Sequence, residues 1–307
     1  MHKQKLNKKE KITVTVGIPT YNEVANIKRL LAAIVKQKGG VSEIKKIVIV
    51  DDGSRDNTLK IIAGFKDSRI CVIRRKGRYG QTSAQNEIFI KAKTDCVLIL
   101  EADTCPVEQH YVDYMAQPLV DDKTIGLIQG NMKTYPATTY LGYILNTQFA
   151  IFTRFVINNK QFKTPITSGR GGRMFSKAVY TKLRWPKNIP EDDYAAVWCL
   201  HNGFSSVFVR KAHCYYKRPQ LIADYLKERQ KIKNVESTVK SHFPPETINK
   251  YFQVPLSTRF FMSFYFATHY FPQFCYYWLL LIFEKIKIKK GVFSDLWPQT
   301  KSTKILK

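Results

Sequence analysis

Acidic residues are scarce in this 307-residue chain: 24 Asp and Glu stand against 50 Lys and Arg, a formal net charge of +26. A surface so short of negative charge favours polyanions, whether nucleic acid, an anionic membrane face or phosphorylated substrates. Nucleic acid is not expected, because zinc-finger spacing, an RNA-recognition signature and a helix-turn-helix pattern are all missing. Paired cysteines are missing too. Cys71, Cys96, Cys105, Cys199, Cys214 and Cys275 are scattered without a Cys-x-x-Cys, and the lysine-rich start carries no signal-peptide pattern. Reduced thiols in a cytosolic compartment are the expectation. The first apolar run is not followed by G-x-G-x-x-G, which argues against a nicotinamide enzyme. No internal repeat is present.

What is there is a folding composition, 44% hydrophobic and 13% aromatic, enough for one large domain or a domain with an appendage. Apolar β-branched runs at Ile12–Ile18, Lys46–Val50, Ile70–Arg74 and Cys96–Leu100 alternate with helical patterns at Glu23–Lys36, Asn57–Phe65 and Thr82–Lys91. Ile27, Leu30, Leu31 and Ile34 recur at the three-and-four spacing of a helix face. This βαβα order predicts an α/β fold, a mainly parallel sheet with helices on both faces. Farther on, Ile125–Met132 and Ser206–Val209 read as strands, and Leu141–Ile157, Glu191–His201 and Gln220–Lys233 as helices. Residues 168–173, SGRGGR, read as a loop.

Ligands of open parallel sheets bind beyond the C-terminal strand edge, and polar residues collect there. The first strand runs into Pro19-Thr20-Tyr21-Asn22-Glu23, the second into Asp51-Asp52-Gly53-Ser54 and the fourth into Glu101-Ala102-Asp103. Glu101 and Asp103 are either a solvated acidic turn or hard-oxygen ligands that share a divalent cation with phosphates; the other acidic strand ends favour the latter. Asp51 and Asp52 open a turn and helix cap, and a carboxylate there could accept hydrogen bonds from a nucleobase imide or a ribose. Glu191-Asp192-Asp193 either complements a helix dipole or supplies a general base. SGRGGR is a flexible basic loop or an anion cradle, with no Gly-Lys-Ser/Thr following to make it a Walker loop. His213, after the predicted 206–209 strand, is a structural histidine or a further metal ligand.

Together these residues resemble family 2 glycosyltransferases, which have the GT-A fold. The matching pieces, in family order, are VGIPTYNEVANI (16–27), VIVDDGSRDNT (48–58), RYGQTSAQN (78–86), EADTCP (101–106), SGRGGRMFS (168–176) and PEDDYAAVWCLHNGF (190–204). The resemblance implies inverting transfer from a nucleotide-diphosphate sugar, UDP-linked by expectation, to an acceptor hydroxyl. By position it implies that Thr20, Tyr21, Glu23, Asp51 and Asp52 bind base and ribose, and that Pro19, Glu101, Ala102 and Asp103 also belong to the nucleotide- or donor-binding set. It places Arg78, Gly80 and Gln81 near the diphosphate, and Ser168, Gly169 and Glu191 near the donor or acceptor sugar. Asp103, on the Glu101-Ala102-Asp103 turn, looks like the ligand of Mg²⁺ or Mn²⁺, with Glu101 where an aspartate is more usual. Asp192 looks like the catalytic base. The Gln-x-x-Arg-Trp motif of processive synthases is missing; Glu228-Arg229-Gln230-Lys231-Ile232 is the nearest window. The rival readings are a polyprenyl-phosphate sugar synthase, a nucleotidyltransferase and a non-catalytic basic binding module. A nucleotidyltransferase would need a glycine-rich, lysine-bearing loop near the first strand, and VGIPTYNE has one glycine and no lysine.

Phe260 to Phe283 contains no Asp, Glu, Lys or Arg, and Lys285, Lys287, Lys289 and Lys290 follow. Pro272 interrupts the run. A single crossing from a cytosolic catalytic domain would put these lysines on the wrong side of the membrane. A bent or paired interfacial helix at the cytoplasmic face is favoured instead, with a single pass and a soluble appendage as alternatives. The expected organisation is a basic tail at 1–11, a catalytic domain at 12–240 and a membrane-associating helical segment at 241–307. The expected partners are the sugar nucleotide, a glycan or lipid-linked acceptor, and an anionic membrane surface.

Overall fold

The computed structural model describes residues 10–157, 171–232, 235–252, 254–288, 296 and 303. Ser168 and Gly169, expected near the sugar, lie outside the described residues. The first half is β1 (Ile12–Thr20), α1 (Ile27–Val35), β2 (Ser42–Asp51), α2 (Thr58–Ala63), β3 (Ile70–Arg74), α3 (Gln81–Lys91), β4 (Cys96–Ile99), β5 (Cys105–Pro106), α4 (Tyr111–Asp121) and β6 (Ile125–Thr134). Then come α5 (Tyr140–Phe152), a π-helical turn (Thr153–Ile157), β7 (Arg173–Ser176), α6 (Lys177–Tyr180), α7 (Glu191–His201) and β8 (Ser205–Tyr216). Five helices follow among the described residues: α8 (Ile222–Ile232), α9 (Val235–Lys240), α10 (Pro245–Phe252), α11 (Leu256–His269) and α12 (Phe271–Lys287).

The strands form one eight-stranded sheet in the order β3-β2-β1-β4-β7-β6-β8-β5. Pairings β2/β3, β1/β2, β1/β4 and β6/β8 are parallel, whereas β7 runs antiparallel between β4 and β6, and β5 antiparallel to β8. The alternation of side chains along each strand sends two sets of apolar residues to opposite faces. Val14, Val16, Ile18, Ile47, Ile49 and Leu98 pack under α1 and α4. Val48, Val50, Val97, Ile99, Leu127 and Phe175 pack with α3 and α7. Val239 of α9 and Ile248 and Tyr251 of α10 join this second cluster, so the chain on both sides of residue 240 packs against the sheet body.

Four sequence readings need correction. The 168–173 loop gives way to strand at Arg173, because β7 fills the gap between β4 and β6. The short strand expected at Ser206–Val209 runs on to Tyr216, so His213 lies within it, opposite Asn131 of β6. The helix expected from Leu141 to Ile157 changes to π geometry at Thr153. The helix expected from Glu23 begins at Ile27, because Asn22 and Glu23 donate backbone hydrogen bonds to Ser54 Oγ and Thr58 Oγ1 and hold that stretch as turns.

The uncharged run at 260–283 folds as two helices, divided at Tyr270 with Pro272 in the first turn of α12, where its missing N–H costs little. No helix among the described residues is long and apolar enough to cross a membrane. The pair is fastened to the body by Leu280, which packs with Leu141, Leu145 and Tyr225. It is fastened also by buried Glu284, which accepts from Tyr225 Oη at 2.8 Å and Arg229 Nε at 2.9 Å.

Gly17 marks where α3 lies closest to the sheet. A Cβ there would press on Ile88 Cγ2 and come 2.8 Å from Ile99 Cδ1. Gly17→Ala is expected to cost about 1–3 kcal/mol through overpacking, read as a lower urea midpoint at unchanged m-value.

Candidate active site

The parallel register of β1, β2 and β4 brings three strand ends to one rim. Thr20 stands opposite Asp51, and Leu100 donates its backbone N–H to Gly17 O. The loops beyond them are tied together. Asn22 Oδ1 accepts from Arg55 N, Glu23 Oε2 accepts from Asn26 Nδ2, and Thr20 O accepts from Asp52 N. Pro19 continues β1 beside Val50.

The two aspartates of β2's end do different work. Asp52 is consumed internally: Oδ1 accepts from Tyr79 N and pairs with Arg75 Nη1 at 3.1 Å, and Oδ2 accepts from Gly80 N at 2.8 Å. It shapes the 75–80 loop, whose Gly80, at φ 93°, turns the chain into α3. Asp51 is fully buried, and while Oδ2 accepts from Ser54 N, Oδ1 has no hydrogen-bond partner. A buried carboxylate oxygen left without a donor is costly. Arg78 stacks over Tyr21, its guanidinium carbon 4.2 Å from the ring centroid.

After β4, Glu101 turns back over its own strand end. Its backbone carbonyl accepts from Thr104 N and Oγ1, and Oε1 lies 3.4 Å from Gln81 Nε2 as acceptor. Ala102 is buried beneath the turn. Across the rim α7 begins with three acids in its first turn, stabilised there by the helix dipole. Oxygens of Glu101, Glu191 and Asp192 come within 4.8 Å of one another, a hard-oxygen donor set that fits a divalent cation. Asp103 and His213 are not in that group. Burial pushes the Cys214 thiol of β8 up, and the Asp103 charge adds to that shift. His213 Nδ1 lies 2.5 Å from Glu108 Oε1, and its backbone N–H donates to Glu108 Oε2, so a structural partner already engages it.

Two further residues bear on the acids. Arg173, the first residue of β7, sits 3% exposed with Nη1 2.8 Å from Asp192 Oδ1. The contact is electrostatic and not a directed hydrogen bond, since neither atom meets hydrogen-bond geometry. Tyr251 of α10 donates from Oη to Asp193 Oδ1 at 3.1 Å. Burial, then the neighbouring charges of Asp192 and Glu191, push the Asp193 carboxyl up to about 7, against the Tyr251 hydrogen bond and Arg173. The sequence offered this arginine to an anion cradle, and the structure sets it against Asp192; nothing in the sequence joins Tyr251 to Asp193.

The family model for glycosyl transferase family 2 matches residues 15–184. The chain belongs to that family. It is 28% identical over 235 residues to a poly-β-1,6-N-acetyl-D-glucosamine synthase of Staphylococcus aureus (strain COL), covering 73% of this chain and 56% of the relative. A synthase of the same name from Staphylococcus epidermidis is 24% identical over 213 residues, 68% of this chain and 51% of the relative. The chain thus spans about half the length of these relatives. Among solved structures, the mannosyltransferase PcManGT from Pyrobaculum calidifontis, in complex with GDP-Man and Mn²⁺, superposes with TM-score 0.63 at 18% identity, over 91% of this chain and 77% of that one. S. aureus TarS 1–349 in complex with UDP gives TM-score 0.51 at 17% identity, over 84% and 73%. The fold is therefore GT-A.

The raised Asp193 group links stability to pH. The folded state holds its proton between about pH 4 and 7, where the unfolded chain has released it, so stability falls as pH rises through that window. Asp193→Asn should remove this slope. In metal-free buffer its melting temperature is expected to match the parent near pH 4 and to exceed it at pH 8.

Proposed function

We propose that this chain is an inverting glycosyltransferase that moves a sugar from a UDP-sugar to a hydroxyl of a glycan or lipid-linked acceptor. The observation that carries the reading is the meeting of Glu101, at the end of the donor-side strand β4, with Glu191 and Asp192, at the start of α7. A sugar seated against this edge would have its anomeric carbon beside the carboxylates. The relatives named as N-acetylglucosamine polymer synthases and the UDP complex of TarS support a UDP-linked donor.

Each residue has a step. Asp51 Oδ1 accepts from the nucleoside, and Arg78 and the Gly80–Gln81 helix start face the diphosphate. Asp192 accepts the acceptor's hydroxyl proton as that oxygen bonds to the anomeric carbon. The carbon–oxygen bond to the diphosphate breaks on the opposite face, and UDP departs with the electron pair. Glu101 and Asp103 would hold Mg²⁺ or Mn²⁺, which supplies positive charge to the leaving diphosphate. The complexes of PcManGT and of a mycobacterial glucosyl-3-phosphoglycerate synthase with Mn²⁺ support this.

The cytoplasmic face of a membrane is the proposed location. Phe260, Phe261 and Phe264 of α11 and Trp278, Leu279, Ile282 and Ile286 of α12 are exposed, beside Lys285 and Lys287. Aromatic and aliphatic side chains suit the interface, and lysines suit anionic headgroups.

Asp192→Asn is expected to retain UDP binding by calorimetry and to lose transfer by about 10²–10⁴-fold, the usual contribution of a general base; transfer at the parent rate removes the assignment. Asp103→Ala is expected to weaken UDP binding in the presence of Mn²⁺ while leaving metal-free binding unchanged. With Phe260, Phe264, Leu279 and Ile282 all changed to Ser, the chain is expected to stop floating with anionic liposomes; flotation equal to the parent's would count against the interfacial location.

A further inference from the structure

Arg173 is the strangest buried residue in the molecule. β7 pairs it with Ile99 of β4 and Gln129 of β6. Because β7 runs opposite to its neighbours, its first residue lies at the rim where theirs end. Its side chain shares a face with Phe175, 6.0 Å from that ring, on the side that α7 covers. A buried guanidinium ordinarily spends its five N–H donors on a carboxylate fork or on carbonyls. Here both terminal nitrogens lack hydrogen-bond partners; Nη1 lies against Asp192, and the charge bears on Asp193 as well.

The company it keeps gives the reason. Three carboxylates with oxygens within 4.8 Å of one another repel, and hard divalent cations relieve that repulsion by coordination. Coordination would occupy the lone pairs that Asp192 needs as a base. A guanidinium supplies positive charge without coordinating, and it does not lose its proton in proteins. We propose that Arg173 is a positioning residue that reserves Asp192 for the acceptor. It provides the positive charge that Glu101, Glu191 and Asp192 would otherwise draw from a divalent cation, so that metal enters with the donor's diphosphate and not at the base. This rests on the reading of Asp192 as base.

The test counts metal on the full chain without nucleotide. Mn²⁺ is titrated by electron paramagnetic resonance into the parent, Arg173→Lys, Arg173→Met and Arg173→Met combined with Glu191→Gln. Arg173→Met should gain one Mn²⁺ site and bind it about 10–100-fold more tightly than the parent binds the free ion, the scale on which residues beside a metal's ligands act. Arg173→Lys should match the parent, and the double variant should lose the added site. In transfer assays Arg173→Met should lower kcat with little change in donor KM, and Arg173→Lys should recover part of the loss. The proposal is overturned if Arg173→Met takes up no additional Mn²⁺, or if Arg173→Lys takes it up equally. Should Arg173→Met not fold, Arg173→Gln undergoes the same titration and is judged by the same two results. Lack of transfer by the parent would defeat the glycosyltransferase reading and leave the metal count standing, so the two failures are distinguishable.

Discussion

Neighbouring parallel strands point their carboxyl ends the same way, and a parallel sheet must be covered on both faces. Together these constraints leave one open edge to which several chain segments contribute. In this molecule that edge gathers Thr20, Asp51 and Glu101 from β1, β2 and the end of β4. The helices on the two faces seal everything beneath it, as the fully buried Val14, Val16, Val48 and Val97 attest. The one departure from parallel order near the centre, β7, adds a cation to an acidic rim, because a reversed strand begins where the others end.

The scarcity of acids in the chain therefore has a spatial meaning. A protein with +26 formal charge concentrates negative side chains on one rim of its sheet. Two of these carboxylates serve the protein itself. Asp52 is spent on Tyr79, Gly80 and Arg75, and Asp193 on Tyr251. Asp51 and Asp192 are different: each has an oxygen without a hydrogen-bond donor. Within pairs of identical neighbours, the surroundings separate the member that is satisfied internally from the member that is not.

Much of the frame was legible before the structure. Strands read as continuous apolar runs, and the acids following them were visible because a run such as IVIV ends abruptly on Asp51. What escaped was long-range or short. β7 is four residues after a glycine- and arginine-rich stretch, with little to signal a strand, and it forms because β4 and β6 offer edges to it. α4 was passed over although Val112, Met115, Ala116 and Leu119 carry a helical period, with Pro118 inside it blurring the pattern. The meeting of Glu101 with Glu191 and Asp192 joins residues about 90 positions apart and could not be read from spacing. The contact of Tyr251 with Asp193 spans 58 positions and has no local signature.

The aromatic helix pair is stitched to the body through Glu284, and the stitch has a further consequence. Its partners Tyr225 and Arg229 belong to α8. On the same helix Glu228 accepts from Tyr216 Oη at 3.4 Å, at the terminus of the strand that carries His213. Contacts on α8 thus tie the helix pair to the end of β8. Under the proposed interfacial seating, the plane on which the helix pair settles would set the tilt of the acidic rim with it, and with that the angle from which an acceptor could arrive.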